Sequence, residues 1–231
     1  MYTIAEIVTI TGGRFLVNKN EAGAIEHLLI DSRKLLFPST TLFFAIAGPR
    51  RQGNAFVKDL YNKGVRNFVV DASFKFDVKD YGDANVITVS AVLDALQKIT
   101  AYHRAQFNIP VIGITGSNGK TIVKEWLYQL LHNDYTIVRS PKSYNSQIGV
   151  PLSVWQMNAK HSLGIFEAGI SMPGEMERLQ KIIQPTIGVI TNIGQAHSEG
   201  FESITQKAQE KINLFCNVAA VIVSGDEYFH W

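Results

Sequence analysis

The sequence predicts an α/β fold of two domains, a small N-terminal α/β domain over residues 1–107 and a mostly parallel sheet domain over residues 108–231. Short apolar segments alternate with amphipathic segments of helical period, which is typical of sheets covered by helices. A glycine-rich turn joins one predicted strand directly to a helix at residues 113–121. Because Pro110 interrupts the pattern before that strand, we place the domain boundary near Asn108.

The first domain is predicted to alternate strands and helices. The predicted strands are the apolar runs "LLI" at 28–30, "TLFFAIAG" at 41–48, "VRNFVVD" at 65–71 and "NVITVS" at 85–90. Two segments have helical spacing of apolar residues: "GNAFVKDLYNKG" at 53–64, which ends at a glycine, and the segment from Val92 to about Phe107.

The second domain begins with the apolar "NIPVI" before the glycine-rich turn. Its further predicted strands are "HSLGIFEAG" at 161–169 and "PTIGVITNIG" at 185–194, and its predicted helices are "KTIVKEWLYQLLH" at 120–132 and "GEMERLQKII" at 174–183. One apolar side is expected on the first helix, formed by Ile122, Val123, Trp126, Leu127, Leu130 and Leu131. Ligands of such sheets bind at the carboxyl ends of the strands, so the turn and the ends of the Phe166 and Ile190 strands are expected at one rim.

Composition narrows the function classes. A chain of 231 residues with 46% hydrophobic residues can bury a substantial core, and its net charge of +2 gives no electrostatic reason to expect nucleic acid. The single Cys216 cannot form an intrachain disulfide, and the sequence has neither a secretory leader nor an apolar run of membrane-spanning length. We therefore expect a cytoplasmic protein without a membrane span.

The turn "GITGSNGKT" has the features of a phosphate-binding loop. Glycines allow a tight bend and close approach to a ligand, and the start of the following helix presents unpaired N–H groups to an anion. The spacing is G-x-x-G-x-x-G-K-T, which differs from the common G-x-x-x-x-G-K-[ST] template. The predicted ATP-binding residues are Gly113, Thr115, Gly116, Ser117, Asn118, Gly119, Lys120 and Thr121. The alternative is an ordinary glycine-rich turn.

Several segments resemble the Mur ligases, the ATP-dependent amide-bond-forming enzymes of peptidoglycan synthesis. They occur in family order: "DSRK" with "PSTTLFFAIAG", "GITGSNGKT" with "VKE", "SYNSQIGVPLSV", "FEAGISMPGEMERL" and "ITNIGQAHSEGFESI". The resemblance is strongest to the family member that adds D-alanyl-D-alanine to UDP-N-acetylmuramoyl tripeptide. "SPKSYNSQIGVPLSVW" is further similar to forms fused to an alanine racemase. The second domain would then be a truncated P-loop ATPase domain.

The resemblance implies a reaction through an acyl phosphate. The γ-phosphoryl group of ATP would pass to the terminal carboxylate of the tripeptide, and the dipeptide amine would displace phosphate, with two Mg²⁺ ions balancing the charge. Lys120 would contact the terminal phosphates, and Asn145 resembles the family asparagine near the γ-phosphate. A plain turn residue is the alternative for Asn145.

Four residues are implied as metal ligands. Glu167 ends an apolar strand at the expected rim, where its carboxylate would hold the first Mg²⁺ beside Thr121; a solvated acid is the alternative. His197 in "TNIGQAH" matches the family's metal histidine, and a solvated loop histidine is its alternative. Lys211 aligns with the family lysine that carries a carbamate and acts as a catalytic residue, whereas the alternative is a solvated helix lysine. The nearby Lys207 leaves the register open to checking.

In the first domain, Ser32 and Arg33 resemble residues that contact the UDP part of the substrate, although an arginine after a strand is often a surface residue. The family's ligases are longer than this chain. We therefore expect the 231 residues to be a fragment that lacks the C-terminal part of the same polypeptide and is inactive alone. The alternatives are a sister Mur ligase, a folylpolyglutamate synthase, or a non-catalytic nucleotide-binding module.

Overall fold

The structure, a computed structural model, describes residues 1–48, 51–75, 77–194 and 200–224. The chain divides into two compact units, Met1–Ile99 and Thr100–Trp231. The division falls within a helix, Val92–Ala105, whereas the domain boundary predicted at Asn108 lies after the end of that helix.

The first unit is built on a five-stranded sheet. Its elements are β1 Tyr2–Thr3, α1 Ile4–Thr11, β2 Arg14–Val17, β3 Ala24–Ile25, β4 His27–Leu29, β5 Thr41–Phe44, β6 Ala47–Gly48, β7 Arg51–Gln52, α2 Val57–Asn62, β8 Asn67–Asp71, β9 Asn85–Val89 and the start of α3, Val92–Ala105. The sheet order is β2-β9-β8-β5-β4, and only β2 runs antiparallel to its neighbour. Strands β5 and β8 supply fully buried phenylalanines to its core, so this sheet is covered as predicted.

The second unit contains a sheet of five strands that are all parallel. Its elements are β10 Val111–Thr115, α4 Lys120–Leu131, β11 Ile137–Arg139, α5 Gly149–Val154, β12 Leu163–Glu167, α6 Glu175–Ile183, β13 Ile187–Ile190, α7 Ile204–Ile212 and β14 Ala220–Val223. The strand order is β11-β12-β10-β13-β14. The mostly parallel α/β fold class predicted from the sequence is confirmed.

The register of this sheet brings three chain segments to one edge. Strand β10 is central: Ile114 pairs with Glu167 of β12, and Thr115 pairs with Ile190 of β13. The carboxyl ends of the three strands therefore lie side by side, and the turn after β10 opens between the other two. The sequence predicted this common rim.

The predicted apolar side of α4 was half wrong. Val123, Leu127 and Leu131 pack against the core cluster of the sheet. Trp126 and Leu130 are exposed, at 61% and 73%, as is Ile122 at the start of the helix. Apolar residues three or four positions apart can lie on either of two neighbouring faces of a helix, so the pattern did not separate the packed face from the exposed one. Another face next to the packed one carries Lys124, which is fully buried.

In the described ranges, no helix is long and apolar enough to cross a membrane.

Candidate functional site

The turn after β10 is shaped by two glycines with positive φ. Gly116 has φ +144°, and a Cβ added to it would lie 2.0 Å from Thr191 Oγ1. Gly119 caps α4 with φ +80°. L-residues with a side chain rarely adopt such conformations, which explains glycine at both places.

The loop is tied to the segment after β13. The backbone N–H of Ser117 donates to Asn192 O at 2.8 Å, and that of Asn118 donates to Asn192 Oδ1 at 2.9 Å. Thr191 Oγ1 donates to Asn118 O at 2.5 Å. Two loop amides are thus already bonded to protein. The amides at the start of α4, from Lys120 onward, are those that an α-helix leaves without an intrahelical acceptor.

Three lysine side chains converge beside the loop. Lys120 Nζ donates to Gly116 O at 2.8 Å and Lys211 Nζ to the same oxygen at 3.1 Å, so the two ammonium groups share one carbonyl. Lys207 Nζ donates to Gly194 O at 2.7 Å. All three line a cavity of about 160 Å³, together with Gly116, Ser117, Asn145, Ser146, Gly169, Ile170 and Ser171. The cavity is therefore strongly positive, which suits an anion.

Burial lowers the pKa of all three lysines, and repulsion from neighbouring lysines adds to the shift for Lys120 and Lys211. Burial, followed by the charges of Lys120 and Lys207, lowers the pKa of Lys211 to about 7. Burial also lowers the pKa of Lys120, although the nearby Glu167 carboxylate opposes that shift. Lys211 is 2% exposed, so it is not the solvated helix lysine that was its alternative. A fraction of Lys211 is a neutral amine near pH 7.

Glu167 is the buried carboxylate of the site. Its Oε2 accepts a hydrogen bond from Thr121 Oγ1 at 3.0 Å, and its Oε1 lies 2.9 Å from Lys124 Nζ. Oε1 accepts no hydrogen bond of normal geometry within the described residues, so the contact with Lys124 is an ion pair without a well-directed N–H. Both side chains are fully buried, and Glu167 is therefore not the solvated acid that was its alternative.

This arrangement fits a small divalent cation. A buried carboxylate and an adjacent hydroxyl are the hard oxygen ligands that Mg²⁺ prefers, and such sites are usually completed by water and phosphate. Across residues 1–48, 51–75, 77–194 and 200–224, no three His, Cys, Asp or Glu side chains gather into a metal cage. The predicted ligand His197 lies outside the described residues.

Asn145 borders the lysine-lined cavity, and its role near the γ-phosphate stays a prediction. It lines the cavity with Lys120 and Lys211, and its carbonyl accepts the Gly169 N–H at 2.8 Å. A Cβ on Gly169 would lie 3.1 Å from Asn145 Cγ, so the asparagine side chain packs directly over that glycine.

Two residues of the predicted loop lie in strand β10 rather than in the turn. Thr115 is fully buried and donates through Oγ1 to Ala168 O at 2.9 Å. Gly113 is in the middle of the strand, where an added Cβ would lie 2.9 Å from Pro185 Cβ. Both positions have packing roles in this structure, and their assignment to ATP binding stays a prediction.

In the first unit, Ser32 and Arg33 border a separate pocket of about 200 Å³. Its lining is Ile30, Asp31, Ser32, Arg33, Ile46, Gly53 and Phe56. Arg33 Nε and Nη2 donate to the two oxygens of Asp31 at 2.8 and 2.6 Å. Since a guanidinium has five N–H donors, three remain beyond this pair for an anion.

Sequence reasoning missed Lys124 and the Asn192 contacts. Lys124 follows Lys120 by four residues on α4, one helical turn on, but the apolar pattern gave no sign that a charged side chain would be buried there. The Asn192 contacts join positions 74 residues apart, which no local pattern reveals.

Comparison with known protein families shows to which family the chain belongs. A family model described as the Mur ligase middle domain matches residues 114–230, more than half of the chain. The chain belongs to the Mur ligase family. The match begins inside β10 and contains the loop, Glu167 and the lysine cluster. The described site thus lies within the part that defines the family.

Individual Mur ligases extend the likeness to the first unit. The chain is 31% identical over 228 residues to the UDP-N-acetylmuramoyl-tripeptide–D-alanyl-D-alanine ligase of Bacillus subtilis, covering 97% of this chain and 49% of that protein. It superposes on a crystal structure of MurF from Acinetobacter baumannii with a TM-score of 0.85 at 26% identity, covering 97% of this chain and 49% of that one. The chain spans about half the length of the curated relatives it matches.

A further solved structure, the MurF ligase of Thermotoga maritima in complex with ADP, superposes with a TM-score of 0.76 at 26% identity. It covers 87% of this chain and 46% of that one. A nucleotide is thus bound by a protein of this fold.

Proposed function

We propose that this chain is the nucleotide-sugar-binding and phosphate-binding part of an ATP-dependent ligase that adds D-alanyl-D-alanine to UDP-N-acetylmuramoyl tripeptide. One observation supports it above the others: a buried carboxylate bonded to Thr121 stands beside the positive cavity that Lys120 lines after a strand–loop–helix turn. The named relatives, at about 31% identity, favour this amine substrate over those of sister ligases.

The protein's own groups would act mainly by positioning and by charge. The amides at the start of α4 and the ammonium of Lys120 would hold the terminal phosphates, because both present positive charge to an anion. Lys120 now donates to two loop carbonyls, so it would exchange these bonds for phosphate oxygens on binding. Asn145 borders the same cavity and would contact the transferred group.

Thr121 and Glu167 would hold Mg²⁺, with His197 and Lys211 as ligands of a second ion. The cations would supply charge neutralisation at the phosphates during transfer. A hydroxyl oxygen has two lone pairs, so Thr121 would offer one of them to the cation while its O–H still donates to Glu167.

Lys211 would carry a carbamate. Its pKa of about 7 leaves part of the side chain as neutral amine, the form that attacks carbon dioxide. The amine nitrogen would form a bond to the carbon of CO₂, one C–O π pair would move to oxygen, and the nitrogen would release a proton. The product is an anion, which would also relieve the repulsion among Lys120, Lys207 and Lys211.

Nucleotide binding is the direct test. Calorimetry of this chain with ATP and Mg²⁺ should show binding that is lost in Lys120→Met and kept in Lys181→Met, an exposed lysine that also bonds a protein oxygen. Equal affinity of the Lys120→Met variant and the unaltered chain would contradict the phosphate-binding assignment. Binding of UDP-N-acetylmuramoyl tripeptide without ATP separates a ligase from a simple nucleotide-binding module, which has no use for that second ligand.

Ligation itself is a separate matter. Since the relatives are about twice as long, we expect these 231 residues alone to bind ligands without forming amide product. The check is incubation with ATP, Mg²⁺, the tripeptide substrate and D-alanyl-D-alanine, followed by mass spectrometry. Product formed at the rate of a full-length ligase would contradict this expectation.

A cytoplasmic location of the protein also stays a prediction.

A further inference from the structure

We propose that Lys124 is a positioning residue for the divalent-cation site, holding Glu167 and the 140–142 turn in one arrangement. The inference rests on the proposed function, since it concerns the same carboxylate. Lys124 lies one helical turn beyond Lys120 on α4 and is fully buried. It belongs neither to the cavity lining nor to the loop.

The ammonium of Lys124 is surrounded by oxygens from three parts of the chain. Its Nζ donates to Ser140 O at 2.8 Å and to Lys142 O at 2.5 Å. Glu167 Oε1 lies at 2.9 Å and Glu125 Oε1 at 3.2 Å. An ammonium has three N–H donors, so four oxygens exceed its capacity for well-directed bonds. This crowding explains why the Glu167 contact is an ion pair rather than a directed hydrogen bond.

The 140–142 turn contacts Glu167 at its backbone and, through Lys124, at its side chain. The backbone N–H of Glu167 donates to Ser140 Oγ at 3.2 Å, while its carboxylate reaches the turn through Lys124. The turn includes Lys142 at φ +50°, a left-handed conformation that costs energy for a residue with a side chain. Its carbonyl accepts one of the Lys124 bonds, so Lys124 stabilises the strained residue.

The turn then leads into the lysine-lined cavity. Asn145 follows within three residues of Lys142, and its carbonyl holds Gly169 just beyond β12. The Lys124 ammonium therefore links three parts of the site. These are the helix after the phosphate loop, the carboxylate at the end of β12 and the segment that leads to Asn145.

These contacts fix the orientation of the Glu167 carboxylate. Lys124 engages Oε1 and Thr121 engages Oε2, so the two oxygens have different partners and the side chain is fixed in rotation. Groups that orient a metal ligand typically change metal affinity by about 10–100-fold when removed. A purely structural lysine would change stability without that selective effect.

The test measures the Mg²⁺ dependence of ATP binding by calorimetry. In Lys124→Met, we expect the Mg²⁺ concentration for half-maximal enhancement to rise about 10–100-fold, while the affinity for ATP in excess chelator stays unchanged. Lys181→Met, which breaks an exposed pair with Glu177, is the matched control and should change neither quantity. The unfolding midpoint of each variant is recorded in parallel.

Each outcome decides the matter. Lower stability with an unaltered Mg²⁺ requirement would overturn the positioning role. Tighter Mg²⁺ binding would also overturn it, because the ammonium would then only repel the cation. If Lys124→Met does not fold, Lys124→Gln replaces it; this variant keeps an N–H donor for the turn but has no charge for Glu167, and an unchanged Mg²⁺ requirement would again overturn the proposal. Absence of Mg²⁺-dependent ATP binding in the unaltered chain would instead refute the proposed function.

Discussion

The pKa of a single residue, Lys211, makes stability depend on pH. Its pKa is about 7 in the folded chain and 10.5 for the ordinary side chain. Between these values the unfolded state binds more protons than the folded state, so the free energy of unfolding rises with pH. Below pH 7 both states are protonated, and the full cost of burying the charge applies.

We therefore predict that the chain gains stability relative to Lys211→Met as pH rises from 7 towards 10.5. The measurement is urea unfolding across this range in buffer freed of carbon dioxide, with added bicarbonate as the comparison, since a carbamate would replace the titrating amine. Parallel pH profiles for the two proteins would show that Lys211 keeps an ordinary pKa.

The two loop glycines allow a matched comparison. Gly116→Ala combines a left-handed backbone with a Cβ 2.0 Å from Thr191 Oγ1, whereas the nearest atom at Gly119 is 3.8 Å away. We expect Gly119→Ala to cost about 1–2 kcal/mol in unfolding free energy from backbone strain alone. Gly116→Ala should cost roughly 2–5 kcal/mol, because overpacking adds to the strain. Chemical denaturation measures both, and equal costs would contradict the close approach of Thr191.

At the scale of elements, the sequence predicted those with strong local signals. Strands β5, β8, β10, β12 and β13 are apolar runs beside turn residues, and each was expected close to its observed place. The strands β2 and β11 and the helices α1 and α5 were not predicted, because they are short and mix apolar residues with polar residues or proline. Strand β14, Ala220–Val223, was not predicted either, although it is a run of four apolar residues. Tertiary packing, which no local period encodes, decides such elements.

Part of the candidate site was also predictable from local sequence signals. The loop, Glu167 and Asn145 follow strands or short recognisable segments, and the sheet register then brings the first two together. The burial of Lys124 could not be predicted, because it depends on the turn at Ser140 and Lys142 folding over α4.

Strand β10 offers an element-scale prediction about Gly113. An added Cβ would lie 2.9 Å from Pro185 Cβ and 3.4 Å from Leu214 Cδ2, and the proline ring cannot rotate away. Gly113→Ala should lower the free energy of unfolding by about 1–3 kcal/mol, with ATP affinity unchanged. Denaturant unfolding and calorimetry provide the two values. Weaker ATP binding at full stability would place Gly113 in phosphate binding rather than in packing.

At the scale of the whole molecule, the two compact units carry different candidate sites. The Arg33 pocket belongs to Met1–Ile99, and the lysine-lined cavity belongs to Thr100–Trp231. A ligand that binds only the folded state stabilises it by an amount set by its concentration and affinity, about 2.7 kcal/mol at 100 times the dissociation constant. Each ligand's stabilisation should therefore depend on its own site.

We predict a crossed pattern of ligand stabilisation. Mg²⁺ with ATP should raise the unfolding midpoint of the unaltered chain and of Arg33→Ala, but not of Lys120→Met, because only the last lacks the phosphate-binding ammonium. UDP-N-acetylmuramoyl tripeptide should stabilise Lys120→Met and not Arg33→Ala. Lys63→Ala, which breaks an exposed pair with Asp59, is the control and should respond to both ligands. Differential scanning calorimetry at matched ligand saturation gives the midpoints. If one substitution abolishes both responses, the two ligands share a site and the division of roles between the units is wrong.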